Sequence, residues 1–206
     1  MSESRDYRDD ISLAFTGASG AQYGLRLLDC LLRSGHRVHL MISRPAQVVI
    51  GTETDLSLPG RQADMGRFLA ERSGVTSDRL LVYGQDEWTS AAASGSGAPR
   101  RMVVCPCTTA TVSNIAMGAS RSLIERAADV VLKERHRLVL VIRETPFSEI
   151  HLENMLRLAR MGAIILPANP GFYHKPERVE DLVDFVVART LDHLGVEHDL
   201  LARWGR

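Results

Sequence analysis

The length, composition and charge of the chain are those of an ordinary globular protein. It has 206 residues, of which 45% are apolar and 24% are charged, so fibrous and disordered classes are excluded. The 25 basic residues balance the 25 acidic ones, and a chain of zero net charge has no overall attraction for nucleic-acid phosphates. We therefore expect no nucleic-acid binding, and any anion binding must come from local groups of residues.

The cysteines and the N-terminal residues favour a cytoplasmic protein. The three cysteines, Cys30, Cys105 and Cys107, are the odd and sparse count that is typical of a reduced compartment. The N-terminus is charged, and the first apolar run, 11–15, is too short for the core of a signal peptide. No stretch approaches the roughly 18 apolar residues of a membrane-spanning helix. We expect a cytoplasmic location and no membrane span.

Apolar patterning predicts strands that alternate with helices along the chain. Short apolar runs predict strands, and apolar residues at helical spacing predict helices. The predicted strands are 11–16, 38–42, 80–83, 102–105, 138–142 and 163–166. The predicted helices are 21–34, about 45–51, 62–72, about 122–133, about 148–161 and 179–194. The small, glycine-rich residues 90–100 predict a mobile loop that is too poor in apolar bulk to pack.

This alternation predicts one domain over residues 1–206 with a doubly wound α/β fold. Such a fold, Rossmann-like or flavodoxin-like, has a mostly parallel sheet that is covered by helices on both faces. Its ligands bind at the carboxyl ends of the strands. The segments expected at those ends are 17–20, Ser43, 106–111, 143–146 and 167–175.

The turn after the first strand is a candidate phosphate site. It reads TGASG over residues 16–20, and its small side chains let a ligand approach backbone N–H groups at a helix N-terminus. Its glycines lack the G-x-G-x-x-G spacing of a dinucleotide site, and the second strand ends at Ser43 instead of an acidic residue. The pattern favours a mononucleotide over NAD, with a tight turn that binds nothing as the alternative.

Two further loops carry polar groups. The segment 105–111, CPCTTAT, offers hydroxyl and N–H donors, while its C-x-C spacing is not that of zinc or redox motifs. Arg143 and Glu144 follow an apolar strand, either as a structural ion pair or as an anion-binding arginine beside a proton-transferring carboxylate.

Other polar residues are ambiguous by themselves. Arg126 and Lys133 share one face of a predicted helix, which is also compatible with solvent exposure, and Tyr173 and Arg189 carry no signal alone. His151 is expected on the surface of a helix. The remaining histidines show no metal-ligand spacing and are expected to be solvated: His36, His39, His136, His174, His193 and His198.

Several motifs resemble those of one enzyme family. They are TGASGAQYGLRLL, SGSGA, CPCTTAT, RAADVVLKER, RETPF followed by IHLENM, and PGFYHKP. The pattern is similar to the flavin prenyltransferases of the ubiquinone-biosynthesis and phenylacrylic-acid-decarboxylase type, and it covers nearly the whole chain. One departure is CTTAT, where relatives often have C-S-x-x-T, so a threonine replaces a serine and keeps its hydroxyl.

The resemblance implies an enzyme that joins the dimethylallyl group of dimethylallyl monophosphate to N5 and C6 of reduced FMN. The product, prenylated FMN, would pass to a partner decarboxylase. The resemblance also implies a homo-oligomer, with a dodecamer among the sizes considered and sites between subunits. No acidic magnesium motif is present, so no metal is expected.

The resemblance also implies roles for single residues. The residues implied in FMN binding are Gly17, Ala18, Ser19, Ser43, Thr108, Thr109, Ala110, Thr111 and Arg143. Those implied in binding the prenyl phosphate are Lys133, Tyr173 and Arg189. The catalytic residues implied are Glu144, Ser19, Lys133 and Arg126. Glu144 and Ser19 match positions of proton handling near N5, and either Glu144 or the released phosphate is the base.

Two other functions are compatible with the fold. A flavin-dependent cysteine decarboxylase typically carries an asparagine in a P-A-S-A-N-T-type loop, whereas the corresponding loop here reads PCTTAT. An FMN electron-transfer protein of the flavodoxin type predicts a strongly acidic surface, and this chain is neutral. Both alternatives are less favoured than prenyl transfer.

Overall fold

The protein is built around one parallel sheet with the strand order β3-β2-β1-β4-β5-β6. A computed structural model describes residues 6–95 and 97–201. The strands are β1 (Ile11–Phe15), β2 (Val38–Ile42), β3 (Leu80–Tyr83), β4 (Arg101–Cys107), β5 (Arg137–Ile142) and β6 (Ile164–Pro167). The helices are α1 (Ala21–Arg33), α2 (Arg44–Glu53), α3 (Gln62–Arg72), α4 (Thr109–Ala116), α5 (Leu123–Lys133), α6 (Glu149–Arg160) and α7 (Val179–Leu194). The doubly wound α/β fold expected from the sequence is confirmed.

Helices cover both faces of the sheet because the strands are apolar on both sides. All five residues of β1 are buried. On one face, Leu13 and Val139 pack with α1, α2, α3 and α7. On the other face, Val104 and Leu140 pack with α4, α5 and α6. Such two-sided burial produces the near-continuous apolar runs that identified the strands.

The strand order reverses at β1, which pairs with β2 on one side and β4 on the other. In open parallel sheets this reversal opens a crevice at the carboxyl ends of the two central strands. The TGASG turn leaves β1 at this point, and the CPCTTAT segment occupies the end of β4 and the start of α4. The fold therefore brings the two glycine- and threonine-rich motifs to the same edge.

Two segments differ from the sequence prediction. Helix α4 begins inside the segment that was expected to be a loop, because the Thr108 hydroxyl accepts a hydrogen bond from Thr111 N at 3.1 Å and caps the helix. In the segment 90–100, Ala92 and Ala93 are buried and pack in the cluster that contains α5. The prediction that this segment cannot pack is wrong at those positions, and Ser96 lies outside the described residues.

The prediction that His39 is solvated is also wrong. The ring is fully buried, with Nε2 2.9 Å from Asp10 Oδ2 and Nδ1 2.9 Å from the Tyr83 hydroxyl. Burial lowers the pKa of His39, and burial also raises the pKa of Tyr83 to about 12. Two polar partners satisfy both ring nitrogens, which makes a buried neutral histidine compatible with the apolar pattern of β2.

Within the part of the chain that the structure describes, no helix combines the length and the apolar character needed to cross a bilayer.

Candidate active site

Hydrogen bonds join the ends of β1 and β4 at the carboxyl edge of the sheet. Thr16 Oγ1 donates to the carbonyl oxygen of Pro106 at 2.8 Å, and the same hydroxyl accepts from Thr108 N at 2.8 Å. The backbone N–H of Thr16 also donates to Pro106 O at 3.1 Å. These bonds fix the glycine-rich turn relative to the start of α4, so two of the predicted binding segments form one surface.

The glycine-rich turn is closely packed against α2. A Cβ atom at Gly17 would lie 2.5 Å from the Cβ of Pro45, so no side chain fits there. Ser43 caps α2, since its Oγ accepts from Ala46 N at 3.2 Å. The sequence assigned the Ser43 hydroxyl to a ligand, and the structure shows that one of its acceptor positions already serves the helix.

Glu53 is the site residue that sequence reasoning missed. Its Oε2 accepts from Gly20 N at 2.8 Å and from Ala21 N at 2.9 Å, at the N-terminus of α1. Burial acts to raise the pKa of Glu53, but hydrogen bonds from the Ser19 hydroxyl and these two amides, with the charge of Arg143, lower it overall. The negative charge at the start of α1 is thus a carboxylate of the protein itself. Two of the amides expected to bind a phosphate there are already used.

The start of α4 and the end of β5 meet through Glu144. Thr109 Oγ1 donates to Glu144 Oε2 at 3.3 Å, and Thr145 N donates to Oε1 at 3.1 Å. The hydroxyls of Thr108 and Thr111 lie 2.9 Å apart beside this contact. The predicted flavin-binding threonines and the predicted catalytic carboxylate are therefore neighbours.

Arg143 does not form the structural ion pair that the sequence offered as one interpretation. No carboxylate in the described part of the chain forms an ion pair with it, and its Nε is buried without a hydrogen-bond partner among the described residues. A buried, unsatisfied donor is unusual in a folded protein and indicates a site for an acceptor group. The anion-binding interpretation of Arg143 is the one that fits this geometry.

A cavity of about 520 Å³ lies next to these groups. Polar groups of Ser19, Glu53 and Arg143 line it together with the apolar or aromatic surfaces of Tyr23, Ala168 and Val183. Its size is within the range of small-molecule sites. A larger cavity, of about 1100 Å³, lies between α3 and β3, but none of the predicted site residues lines it. We therefore place the site at the smaller cavity, because the predicted site residues Ser19 and Arg143 line it.

Lys133 is not brought to this cavity within one chain. It ends α5 directly before β5, at the amino edge of the sheet, and forms an ion pair with Glu134. Glu144 follows the other end of β5. Because a strand rises about 3.3 Å per residue, the six residues of β5 alone separate the two edges by about 20 Å.

Arg126, which was predicted to be catalytic, does not line the cavity, and neither do Tyr173 and Arg189, which were predicted to hold the prenyl phosphate. Arg126 pairs with Asp129 at 3.2 Å and Arg189 with Asp192 at 2.6 Å, each within its own helix. Tyr173 follows β6, is 62% exposed, and makes an edge contact with Phe185 at a centroid distance of 5.7 Å. The sequence thus predicted two groups of residues, and the single chain assembles one of them.

His174, which was expected to be solvated, packs beside Tyr173. Its ring stacks on Phe185 at a centroid distance of 5.4 Å, and both of its ring nitrogens are buried without a partner among the described residues. The expectation for His174 is therefore wrong, because an aromatic neighbour from α7 covers the ring.

Metal ligands do not assemble in the part of the chain that the structure describes. Among residues 6–95 and 97–201, no group of three or more His, Cys, Asp or Glu side chains is placed to hold a metal ion. Cys105 and Cys107 are buried in the sheet, and burial raises the pKa of both thiols. Their side chains act as apolar core groups.

The reversal of strand order, the cavity beside it and the unsatisfied arginine define a nucleotide-binding protein of the flavodoxin-like class. The sequence profile of the Flavoprotein family matches residues 1–191, and the chain belongs to this family. Within it, the chain belongs with the flavin prenyltransferases. It is 60% identical over 195 residues to the flavin prenyltransferase UbiX of Pseudomonas aeruginosa, a match that covers 95% of this chain and 93% of that protein.

Two solved structures are similar over almost their whole length. One is AnUbiX (PadA1) in complex with FMN and dimethylallyl pyrophosphate, with a TM-score of 0.85 and 40% identity over 97% of this chain and 98% of that chain. The other is a dodecameric FMN-dependent UbiX-like decarboxylase from Escherichia coli O157:H7. Its TM-score is 0.81, with 40% identity over 92% of this chain and 96% of that chain.

Proposed function

We propose that this chain is a flavin prenyltransferase that joins the dimethylallyl group of dimethylallyl monophosphate to N5 and C6 of reduced FMN. The observation that carries the proposal is the buried, unsatisfied Nε of Arg143 beside the cavity at the strand reversal. Membership of the flavin prenyltransferase family supports it and weighs against the cysteine decarboxylase and electron-transfer alternatives.

The residues at the carboxyl edge fit an FMN molecule. Reduced FMN, when bound, supplies the nucleophilic atoms of the reaction. Arg143 offers a buried donor, and the first turn of α4 places the backbone amides of Thr109 and Ala110 at a helix N-terminus beside the threonine hydroxyls. We assign FMN binding to Gly17, Ala18, Ser19, Ser43, Thr108, Thr109, Ala110, Thr111 and Arg143.

Glu144 is the group that we assign to proton transfer. The bonds from Thr109 and Thr145 orient its carboxylate at the mouth of the site, and a carboxylate held in this way can accept the proton that leaves C6. We also assign Ser19 to proton transfer. It lines the same cavity, and its hydroxyl forms a hydrogen bond to Glu53. The released phosphate is the alternative base.

We propose that a neighbouring copy of the chain supplies the groups that hold the prenyl phosphate. Lys133 cannot reach Glu144 of its own chain across the length of β5, and Arg126 and Arg189 face carboxylates of their own helices. In a homo-oligomer these cations, with Tyr173, complete the site and stabilise the charge of the departing phosphate. The similar chain from Escherichia coli O157:H7 is dodecameric, which supports assembly into a homo-oligomer.

The remaining expectations belong to the same proposal. We propose that prenylated FMN passes to a decarboxylase that uses it and that the enzyme works in the cytoplasm. We also propose that residues 1–206 form one FMN-binding domain, which is consistent with a single sheet that takes strands from Ile11 to Pro167.

The test is anaerobic incubation of the protein with reduced FMN and dimethylallyl monophosphate, followed by mass spectrometry of the extracted flavin. We expect a gain of five carbons. If protein that binds FMN returns only unmodified flavin, the proposed function is wrong. Omission of dimethylallyl monophosphate is the control, since the flavin mass must then stay unchanged.

A further inference from the structure

A second cavity lies at the amino edge of the sheet, opposite the flavin site. It has a volume of about 620 Å³. Ile164 gives its lining an apolar surface. Most of the lining is basic and consists of Arg100, Arg101, Arg135, His136 and Arg137. We call it the amino-edge cavity. The proposed function uses none of these side chains.

Two of the arginines are direct neighbours in the sheet. Arg101 and Arg137 are cross-strand partners at the first positions of β4 and β5. Neighbouring strands are about 4.8 Å apart, and paired residues leave the sheet on the same face. Like charges in this arrangement are destabilising. Burial, and to a smaller extent the charge of Arg137, lower the pKa of Arg101.

Arg101 is held in place although this arrangement is unfavourable. Its guanidinium donates to the carbonyl oxygen of Leu194 at 3.3 Å and to that of Asp9. These bonds use only part of its donor set, because a guanidinium carries five N–H groups. The sheet therefore positions a partly desolvated cation beside a second one.

Among the described residues, carboxylates act on this group from a distance: Asp6 on Arg100, Asp9 and Asp10 on Arg101, and Glu134 on His136. Within residues 6–95 and 97–201, none of the four arginines takes part in an ion pair. Asp10 is engaged with His39 at 2.9 Å. Glu134, the residue that follows α5, is paired with Lys133.

The partial negative charges at helix C-termini offset only part of the positive charge of this cavity. The ends of α5, α6 and α7 reach this edge, at His136, Gly162 and Leu194. Each C-terminus carries about half a negative charge, so three helices offset roughly 1.5 of the four positive charges. Asp6, Asp9 and Asp10 compensate the arginines further from a distance, and a net positive charge remains.

We propose that the amino-edge cavity binds a small organic phosphate, a phosphomonoester or an organic diphosphate. Guanidinium groups match phosphate oxygens in bidentate geometry, and the volume is that of a small-molecule site. The anion relieves the repulsion between Arg101 and Arg137, and Ile164 offers a contact for the organic part. Its lining residues lie at the opposite edge from Glu144 of the same chain, and none of them is among the residues that we assign to FMN or to the prenyl phosphate.

The test is isothermal titration calorimetry on the FMN-loaded oligomer, with inorganic diphosphate and phenyl phosphate as the two probes. We expect saturable binding of at least one probe. The double variant Arg135→Gln/Arg137→Gln is expected to bind at least tenfold more weakly. Both side chains are exposed and form no hydrogen bond within the described residues, so the fold should be kept. An unchanged circular dichroism spectrum and prenyl-transfer rate check this.

Two controls separate this site from its alternatives. Arg61→Gln/Arg72→Gln removes the same charge from exposed positions around α3 and is expected to change the affinity less than twofold. Arg143→Gln tests binding at the flavin site and is also expected to have less than a twofold effect. The proposal is overturned if neither probe saturates the wild type. It is equally overturned if Arg135→Gln/Arg137→Gln binds normally, or if either control loses as much affinity as that variant.

Discussion

At the scale of single residues, two carboxylates at the carboxyl edge have different surroundings. Glu53 accepts two backbone amides at the start of α1, whereas Glu144 is held by a threonine hydroxyl and one amide at the end of β5. The amides at a helix N-terminus favour the charged form of Glu53. Glu53 is thus held in its charged form, whereas Glu144 is the carboxylate that we assign to proton transfer.

The role of Glu144 predicts a selective loss of rate. We expect Glu144→Gln to retain FMN and to slow prenyl transfer by about a hundredfold, because the amide keeps the shape but cannot accept a proton. Stopped-flow spectra of the reduced flavin measure the rate. Glu149→Gln, at an exposed carboxylate in the first turn of α6, is the matched control. Unchanged turnover in Glu144→Gln would rule out the assigned role.

The lowered pKa of Glu53 predicts a dependence of stability on pH. A carboxyl group whose folded pKa lies below its ordinary value of 4.5 stabilises the fold above that value. This contribution is lost as the pH falls from 4.5 through the folded pKa. We expect Glu53→Gln to lose about 1 kcal/mol at pH 7 and to differ less from the wild type at low pH. Urea unfolding at both pH values measures this, and an equal difference at the two would contradict it.

At the scale of elements, short side-chain caps place the helices that carry the site. Glu125 is buried at the start of α5, where it accepts from Arg121 N at 2.7 Å and from the Asn114 amide at 2.6 Å. It also completes a capping box with Ser122. The carboxylate therefore ties the end of α4 to the start of α5. Glu125 directly precedes the motif RAADVVLKER, so the start of the helix that carries this motif has a structural role.

The cap of α4 predicts a loss of stability that a conservative change should restore. Thr108→Ala removes the acceptor of Thr111 N and the hydroxyl contact at 2.9 Å, and we expect a loss of about 1 kcal/mol. FMN affinity should fall as well, because α4 begins at the site. Thermal unfolding and flavin titration measure the two effects. Thr108→Ser keeps the hydroxyl and should recover most of the loss, and equal stability of the alanine and serine variants would contradict this.

At the scale of the whole molecule, residues of the proposed reaction lie at both edges of the sheet. Arg143 and Glu144 lie at the carboxyl edge, and Lys133 lies at the amino edge. A parallel sheet cannot bring its own two edges together, so one chain cannot bring these residues into contact. Assembly of identical chains does so when one copy presents its amino edge to the carboxyl edge of another.

Subunit mixing tests this arrangement. Glu144→Gln and Lys133→Ala are each expected to be nearly inactive, whereas oligomers reassembled from an equal mixture should regain activity in about a quarter of the sites, by random pairing in a symmetric oligomer. A mixture of Glu144→Gln with Arg143→Gln is the control, because both residues belong to one edge and no site is restored. If the first mixture stays as inactive as its components, the two groups do not come from different chains.

The sequence determined most of the fold by itself. Strands β2 and β3 and helices α3 and α7 have the bounds that the apolar pattern predicted. The spacing of apolar residues within a short window is enough to identify a buried strand or an amphipathic helix. The same local information located Gly17, Thr108, Arg143 and Glu144 at strand ends. It missed α4, whose short apolar stretch begins with threonines. It also predicted a solvated His39, because the hydrogen-bond partners that allow its burial, Asp10 and Tyr83, are distant in sequence.

Only the tertiary structure decided which of these residues meet. Glu53 reaches the start of α1 because α2 packs back over the turn. Arg143 forms no ion pair with any residue in 6–95 and 97–201, although Glu144 is its neighbour in sequence, and Glu144 instead accepts from Thr109. The pairing of Arg101 with Arg137 likewise follows from the register of two strands that are 36 positions apart in the chain. Hydrogen bonds, burial and charge repulsion act over a few ångströms in space. Residues that interact in this way are far apart in the sequence, so their contacts can be identified only in the folded sheet.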